Sequence, residues 1–327
     1  MVGLDVGTMN LVSARTSGKG KVAIKSIRNC FLELDNEIAS TLDLSDIAHA
    51  NIDESTYIVG HDAFAFGNMF NQPIKRPMQK GMIASDNVDA ADILAVMVQS
   101  IVGEPKDEKE RCFYSIPAES LDMQNNVLYH EAIFGRILSA LGYQPIAFNE
   151  ATAVVFAECE DQANTGIGIS FGAGMTNVSV CYKGIEITKF SLARGGDWID
   201  QNAAQSLGMV SNRLTAIKEK PDFDLRSPAS GGKKNEKRLR EALGFYYANL
   251  IQYTITHISK ELEGLDTEFP DSIRVVVSGG TSMPQGFLDL VKETFDRFEF
   301  PFDISEVRHA SDPLGAVAKG CLVKSMK

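Results

Sequence analysis

The chain has 327 residues, 44% of them hydrophobic, enough to bury a substantial core spread over two domains. Its net charge of −11, from 43 acidic against 32 basic residues, argues against nucleic acid as a partner, because phosphate backbones attract basic faces. Five scattered cysteines without a C-x-x-C pair suit reduced thiols, and no His/Cys cluster has metal-ligand spacing, so neither a disulfide framework nor a zinc site is expected.

An alternating strand pattern starts at once (Val2, Leu4, Val6), so neither a signal peptide nor an N-terminal anchor is expected. "YIVGHDAFAF" reads as a strand that turns at a glycine into a helix. The run "FAFGNMF" (Phe64 to Phe70) forms an apolar stripe expected to face a core. "ADILAVMVQSIV" is the most apolar helical stretch, yet it falls short of the roughly 20 residues that cross a bilayer. The chain therefore reads as soluble and cytoplasmic, without membrane contact. "RCFYSIP" is a strand ended by Pro117. A helix with Phe134, Ile137, Leu138 and Leu141 on one face follows, with Gly142 as its cap.

In the second half, residues 208–241 are polar. "RSPASGGKKNEK" reads as an exposed loop of a small subdomain, and "KKNEKRLRE" as a solvated helix face. "YYANLIQYTITHISKELEG" is a helix with Ile251, Ile255, Ile258 and Leu262 inward, stopping at Gly264. "IRVVVSGG" is a buried parallel strand. "MPQGFLDLVKETFDRF" opens a helix with Pro284 in its first turn and Phe287, Val291, Phe295 and Phe298 inward.

Two stretches share an order of features. "GLDVGTMNLVS" and "GISFGAGMTNVS" each run glycine, apolar, Asp or Ser, apolar, glycine, small turn, Asn and strand. One glycine hairpin in each half predicts two similar α/β domains facing one another. In the first, Asp5 stands beside Gly7 and Thr8. Such a turn offers backbone N–H groups to phosphate and a carboxylate to hydrated Mg²⁺, although an ordinary hairpin has the same look. "VVVSGGTSMP" adds a glycine turn between a buried strand and a helix, fit for a planar or anionic ligand or simply for packing. Glu150 in "FNEATAVVFA" either complements a helix dipole or positions a water.

Taken in order, these segments resemble the actin-like ATPase superfamily, and are most similar to the bacterial actin MreB and the ATPase domain of heat-shock chaperones. "RPMQKGMIAS" (Arg76 to Ser85), "ARGGDWID" (Ala193 to Asp200) and "DPLGAVAKG" extend the likeness along nearly the whole chain. The resemblance implies an α/β, two-lobed fold of duplicated ribonuclease H-like domains. The first would span 1–148 with a subdomain inserted near 29–75. The second would span 149–327 with one near 208–240 and a C-terminal helix returning to the first. It also implies Mg²⁺ and ATP or ADP in a central cleft.

Asp5 would reach the metal through water, with Gly7, Thr8, Met9 and Asn10 at the phosphates. Ser170, Gly172, Ala173, Gly174 and Met175 would clamp from the other side, with Thr176 next along. Gly195, Gly196 and Asp197 would lie near ribose and phosphates. Gly279, Gly280, Thr281 and Met283 would follow the adenosine, and Lys218 would touch the base. Glu150, Asp5 and Thr176 would carry the chemistry.

The sequence departs from the family at the second hairpin. An aspartate and a threonine are usual where Ser170 and Met175 stand, Ala151 replaces a proline, and Thr215 replaces a ribose-binding glutamate. Less negative charge near the metal implies ATP binding with slow hydrolysis. The compact chain fits a protomer that self-associates into nucleotide-dependent filaments, with protein adaptors or cargo as further partners. A monomeric switch and a metabolite kinase are the competing classes, since fold alone does not choose among them.

Overall fold

Hairpins of one design sit at the centre of two sheets. The computed structural model describes the chain apart from residues 18–19, 36–38, 40–43, 45, 71, 85–88, 221, 227–233, 264, 266–271 and 327. Ser85, most of the "RSPASGGKKNEK" loop and the Gly264 helix stop lie outside the described residues. The first half runs β1 (Val2–Val6), β2 (Asn10–Thr16), β3 (Val22–Arg28), β4 (Phe31–Leu34), β5 (His49–Ile52), β6 (Ser55–Val59), α1 (Gly60–Phe70), β7 (Met78–Gln79) and β8 (Met82–Ile83). It continues through α2 (Ala90–Val102), β9 (Arg111–Ile116), α3 (Val127–Ala140) and β10 (Gln144–Asn149). The second half runs α4 (Glu150–Glu158), β11 (Gly166–Phe171), β12 (Thr176–Tyr182), β13 (Ile185–Leu192), α5 (Gly196–Leu207) and α6 (Ser211–Lys218). It ends with α7 (Lys234–Glu263), β14 (Ser272–Ser278), α8 (Phe287–Phe295), β15 (Asp303–His309) and α9 (Ala316–Met326).

The sheets have one topology. The first is ordered β10-β9-β1-β2-β3 and the second, read in the same sense, β15-β14-β11-β12-β13. In each, the leading strand forms an antiparallel hairpin with the next (β1–β2, β11–β12) and lies parallel to a later one (β9, β14). β11 is buried along its whole length, which explains its unbroken run of apolar and small residues. The duplication inferred from the two glycine stretches is thus a duplication of sheet order.

Between the sheets lie α4 and α9. α9 packs on β1, β2 and β9, while α4 packs on β11 and β12. Their approach depends on an absent side chain: a Cβ on Gly320 of α9 would stand 1.7 Å from the Ala153 carbonyl oxygen of α4. On the strands, Gly3 meets the α9 backbone and Gly168 the α4 backbone in the same way.

The structure corrects two sequence expectations. α8 begins at Phe287, not at Pro284, because Gly286 with φ of 80° breaks the chain after a 3-10 turn over Gly280–Ser282. The "FAFGNMF" stripe does not enter a core: Phe64, Met69 and Phe70 are 38, 73 and 56% exposed. α1 packs on β4 and β6 of the small sheet and on β3 of the first, which bury Ala63 and part of Phe66 while its remaining apolar face stays outside. Phe64 there lies against the Arg28 guanidinium, 4.3 Å from the ring centre. The other patterns hold. Ile251, Ile255, Ile258 and Leu262 are buried on α7, Phe287, Val291 and Phe295 on α8, while Phe298 lies past the end of α8, half-buried against the same core, and Gly142 closes α3 with φ of 87°. All five cysteines are free and buried. Among the described residues no helix is long and apolar enough to cross a membrane.

Candidate functional site

The first hairpin presents Asp5 from β1 and the turn Gly7 to Asn10. Ser115 of β9 accepts from the Val6 N–H at 2.8 Å and donates to Asp5 Oδ1 at 3.1 Å, which fixes the carboxylate. Asn29 holds the turn, donating its amide to the Gly7 carbonyl at 2.9 Å and its N–H to the Met9 carbonyl at 2.8 Å. Thr8 Oγ1 accepts from the Gly81 N–H at 3.0 Å, in the two-residue turn between β7 and β8.

Glu150 is the first residue of α4, delivered there by Asn149, whose side chain caps the helix by accepting from the Thr152 N–H. Asn177 Nδ2 donates to Glu150 Oε2 at 2.9 Å, and Ser170 lies beside the same carboxylate. Burial pushes Glu150 up to about 7, against the pull of Ser170 and Asn177. Burial also holds Asp5 well above the usual carboxylate range, reinforced by the charge of Glu150 and opposed by Ser115. Two half-buried carboxyls therefore repel one another, each steadied by a neutral donor, Ser115 for Asp5 and Asn177 for Glu150.

The second hairpin is a hub. The Gly172 carbonyl accepts from the Gly196 N–H at 3.0 Å and from the Thr281 hydroxyl at 2.8 Å, and the Ala173 carbonyl accepts from the Asp197 N–H at 2.8 Å. Gly279, at φ of 89°, sits so near Phe171 that a Cβ would lie 2.3 Å from its carbonyl oxygen. A Cβ on Gly174 would stand 2.3 Å from the Gly81 nitrogen and 2.5 Å from Thr8 Oγ1, so the two hairpins and the β7–β8 turn meet there. Arg76 Nη1 reaches Asp197 Oδ2 at 2.7 Å, and Arg28 reaches Glu219 at 3.4 Å, each pair joining the two halves of the chain. A cavity of about 920 Å³ opens beside this junction, lined among others by Arg76, Lys80, Gly174, Asp197, Asp200 and Thr215.

The structure joins Gly172, Ala173, Gly196, Asp197 and Thr281 by hydrogen bonds, packs Thr8 and Gly174 together at Gly81, Gly195 against Ala173 and Gly279 against Phe171, and sets Asp5 and Glu150 close enough to repel one another. It does not bring in all the residues singled out from the sequence. The Thr176 hydroxyl is buried and donates to the Arg194 carbonyl at 2.8 Å. Met175 is buried against Gly81, and Met283 is 52% exposed. Lys218 is committed to Asp200 at 2.8 Å and to the Gly196 carbonyl at 3.0 Å, with Thr215 also donating to Asp200. Neither Asp5, Glu150 nor Gly279 to Thr281 lines the 920 Å³ cavity.

Sequence reading missed Ser115, Asn29, Asn177 and Asp200. Asn177 was within reach, since the hairpin register sets it opposite Ser170. Ser115 lies 110 residues from Asp5, on a strand whose pairing no local signal gives away.

The duplicated sheets, each led by a glycine hairpin at a shared cleft, define the two-lobed actin-like fold. Solved structures agree. MamK in a double helical filament matches with a TM-score of 0.72 at 18% identity, covering 100% of this chain and 98% of that one. MreB 5 of Spiroplasma citri bound to AMPPNP matches with a TM-score of 0.68 at 17% identity, covering 98% and 94%. The ethanolamine utilization protein EutJ from Carboxydothermus hydrogenoformans gives 0.57 at 16%, covering 98% and 88%. At such identities the likeness is one of fold, and no curated protein matches the chain. The chain belongs to the Volactin family, which it matches over residues 1–325.

Proposed function

We propose that this protein is an ATP-binding, actin-like filament protomer with slow hydrolysis. Its lobes would correspond to residues 1–148 and 149–327, closing on the nucleotide. The observation that carries the reading is the meeting of both glycine hairpins at Thr8, Gly81 and Gly174 beside a cavity large enough for a nucleotide. One protein of similar fold is seen as a filament and another holds AMPPNP, which supports self-association and adenine nucleotide as the ligand.

The residues fit a hydrated magnesium ion. Asp5 and Glu150 form a carboxyl pair whose mutual repulsion a divalent cation would relieve, and Asp5 would hold it through water. Bound magnesium would neutralise phosphate charge as it develops. Glu150, oriented by Asn177, would position a water, and it must be ionised to do so. Ser170 places a neutral hydroxyl where a carboxylate would add charge, which supports ATP binding that outlasts turnover.

Titration calorimetry with magnesium and ATP tests binding, and sedimentation followed by electron microscopy tests assembly. We expect a saturable heat, and a polymer that pellets only with nucleotide. No heat of association, or an unchanging monomer, contradicts the reading. Phosphate release stimulated by a small metabolite would favour a kinase instead.

A further inference from the structure

Lys80 stands out in the cleft. It forms the two-residue loop of the β7–β8 hairpin with Gly81, where Met78 pairs with Ile83 and Gln79 with Met82. Both loop residues have positive φ, 47° for Lys80 and 74° for Gly81. Such turns favour Asn, Asp or Gly in the first place, and a lysine there carries backbone strain. An observed strain of this kind is a reason to look for a role.

Strain alone does not single it out. The loop between β12 and β13, Lys183–Gly184, has the same geometry with φ of 49° and 77°. Position separates the two. The Gly81 N–H donates to Thr8 Oγ1 of the first hairpin, and Gly174 of the second packs against the Lys80 backbone carbon at 3.0 Å from its own Cβ position. The lysine is thus mounted on the junction of the two turns, and it lines the 920 Å³ cavity.

The neighbouring cations are occupied. Lys75 pairs with Glu33 at 3.4 Å, Arg76 with Asp197 at 2.7 Å and Lys218 with Asp200 at 2.8 Å. Lys80 is exposed and has no ion pair among the described residues. Glu33, Asp197 and Asp200, three of the acids lining the cavity, are matched by these cations, so Lys80 adds the positive charge that a polyanion would need there. An ammonium on a flexible four-carbon stem suits the freely rotating end of a phosphate chain.

We infer that Lys80 is a phosphate-binding residue that engages the terminal phosphate of a nucleoside triphosphate, supplying positive charge at the hairpin junction. This rests on the nucleotide reading of the cleft and adds to it a residue that discriminates triphosphate from diphosphate.

The test is titration calorimetry of the full chain with ATP, ADP and inorganic tripolyphosphate, each with magnesium and with EDTA. Wild type is compared with Lys80→Gly, Lys80→Ala and, as a turn control, Lys183→Ala. Glycine relieves the positive φ while removing the charge, so Lys80→Gly should melt no lower than wild type and yet bind ATP about tenfold more weakly or worse. ADP should lose no more than about threefold, the ATP deficit should be larger in EDTA, and Lys183→Ala should bind like wild type. An unchanged ATP-to-ADP preference in both Lys80 variants, with wild type binding normally, overturns the role of Lys80 and leaves the nucleotide reading standing. Wild type that takes up none of the three ligands removes both.

Discussion

The two hairpins share their strand order and glycine turns but differ in the group they deliver. The first carries Asp5 and receives a hydroxyl from the neighbouring parallel strand, at Ser115. The second carries Ser170, pairs with Ser278 on its own parallel neighbour, and lies beside Glu150 of the helix that opens the second half. One copy thus carries a charge while the other stands beside a charge borne by Glu150. The two copies share a backbone frame and differ in one side chain, a carboxylate in the first and a hydroxyl in the second. With Asp5 and Glu150 already repelling one another, a third acid at Ser170 would raise the cost of the unliganded site.

The largest expected effect comes from forcing the hairpins apart. Gly174→Val places carbon where the Gly81 nitrogen and Thr8 hydroxyl already stand, so ATP binding should disappear from calorimetry and stability should fall by about 3 kcal/mol. Next is the division of labour. Asp5→Ala should cut steady-state ATP turnover about 10²-fold or more, whereas Ser170→Ala should cost less than about fivefold; equal losses would erase the distinction between the copies. Ser170→Asp restores symmetry at the expense of three close carboxyls. Urea unfolding without nucleotide at pH 8 should show a loss of about 2 kcal/mol that shrinks as the solution is acidified.

Glu150 gives a smaller, pH-dependent effect. Its carboxyl titrates near 7 when folded against 4.5 when unfolded, so the folded chain holds the extra proton between those values. Stability from the protonated form is full below about 4.5 and is lost as pH rises through 7. Glu150→Gln, which cannot ionise, should exceed wild type by about 1–2 kcal/mol at pH 8 and match it near pH 4.5 in thermal melts. The smallest effect is Thr281→Val, which removes one bond to the Gly172 carbonyl and should cost about 1 kcal/mol while leaving turnover by Asp5 untouched.

Much of this was legible in the sequence because the signals were local. The glycine spacing around Asp5 and Ser170 gave the hairpins and their duplication, and apolar periodicity gave the inward faces of α7 and α8. What escaped depended on distant partners. Thr176 has the right residue type for a phosphate contact, yet its hydroxyl belongs to Arg194 at the end of β13. Lys218 lies where a base contact was expected but is claimed by Asp200 from the adjacent helix. The α1 stripe has helical spacing without a large surface to meet, since periodicity tells which residues share a face and not what lies opposite. Lys80 belongs to a segment recognised only for its likeness, and its strain becomes visible only with the backbone in hand.

The absent side chain at Gly320 has a mechanical consequence. With helix backbone pressed on helix backbone at Ala153, sliding of one lobe along the other is blocked, and rotation about this seam is the motion left open. Any rotation about this seam would be amplified towards the rim, where Arg28–Glu219 and Arg76–Asp197 join the two halves of the chain and would have to release first.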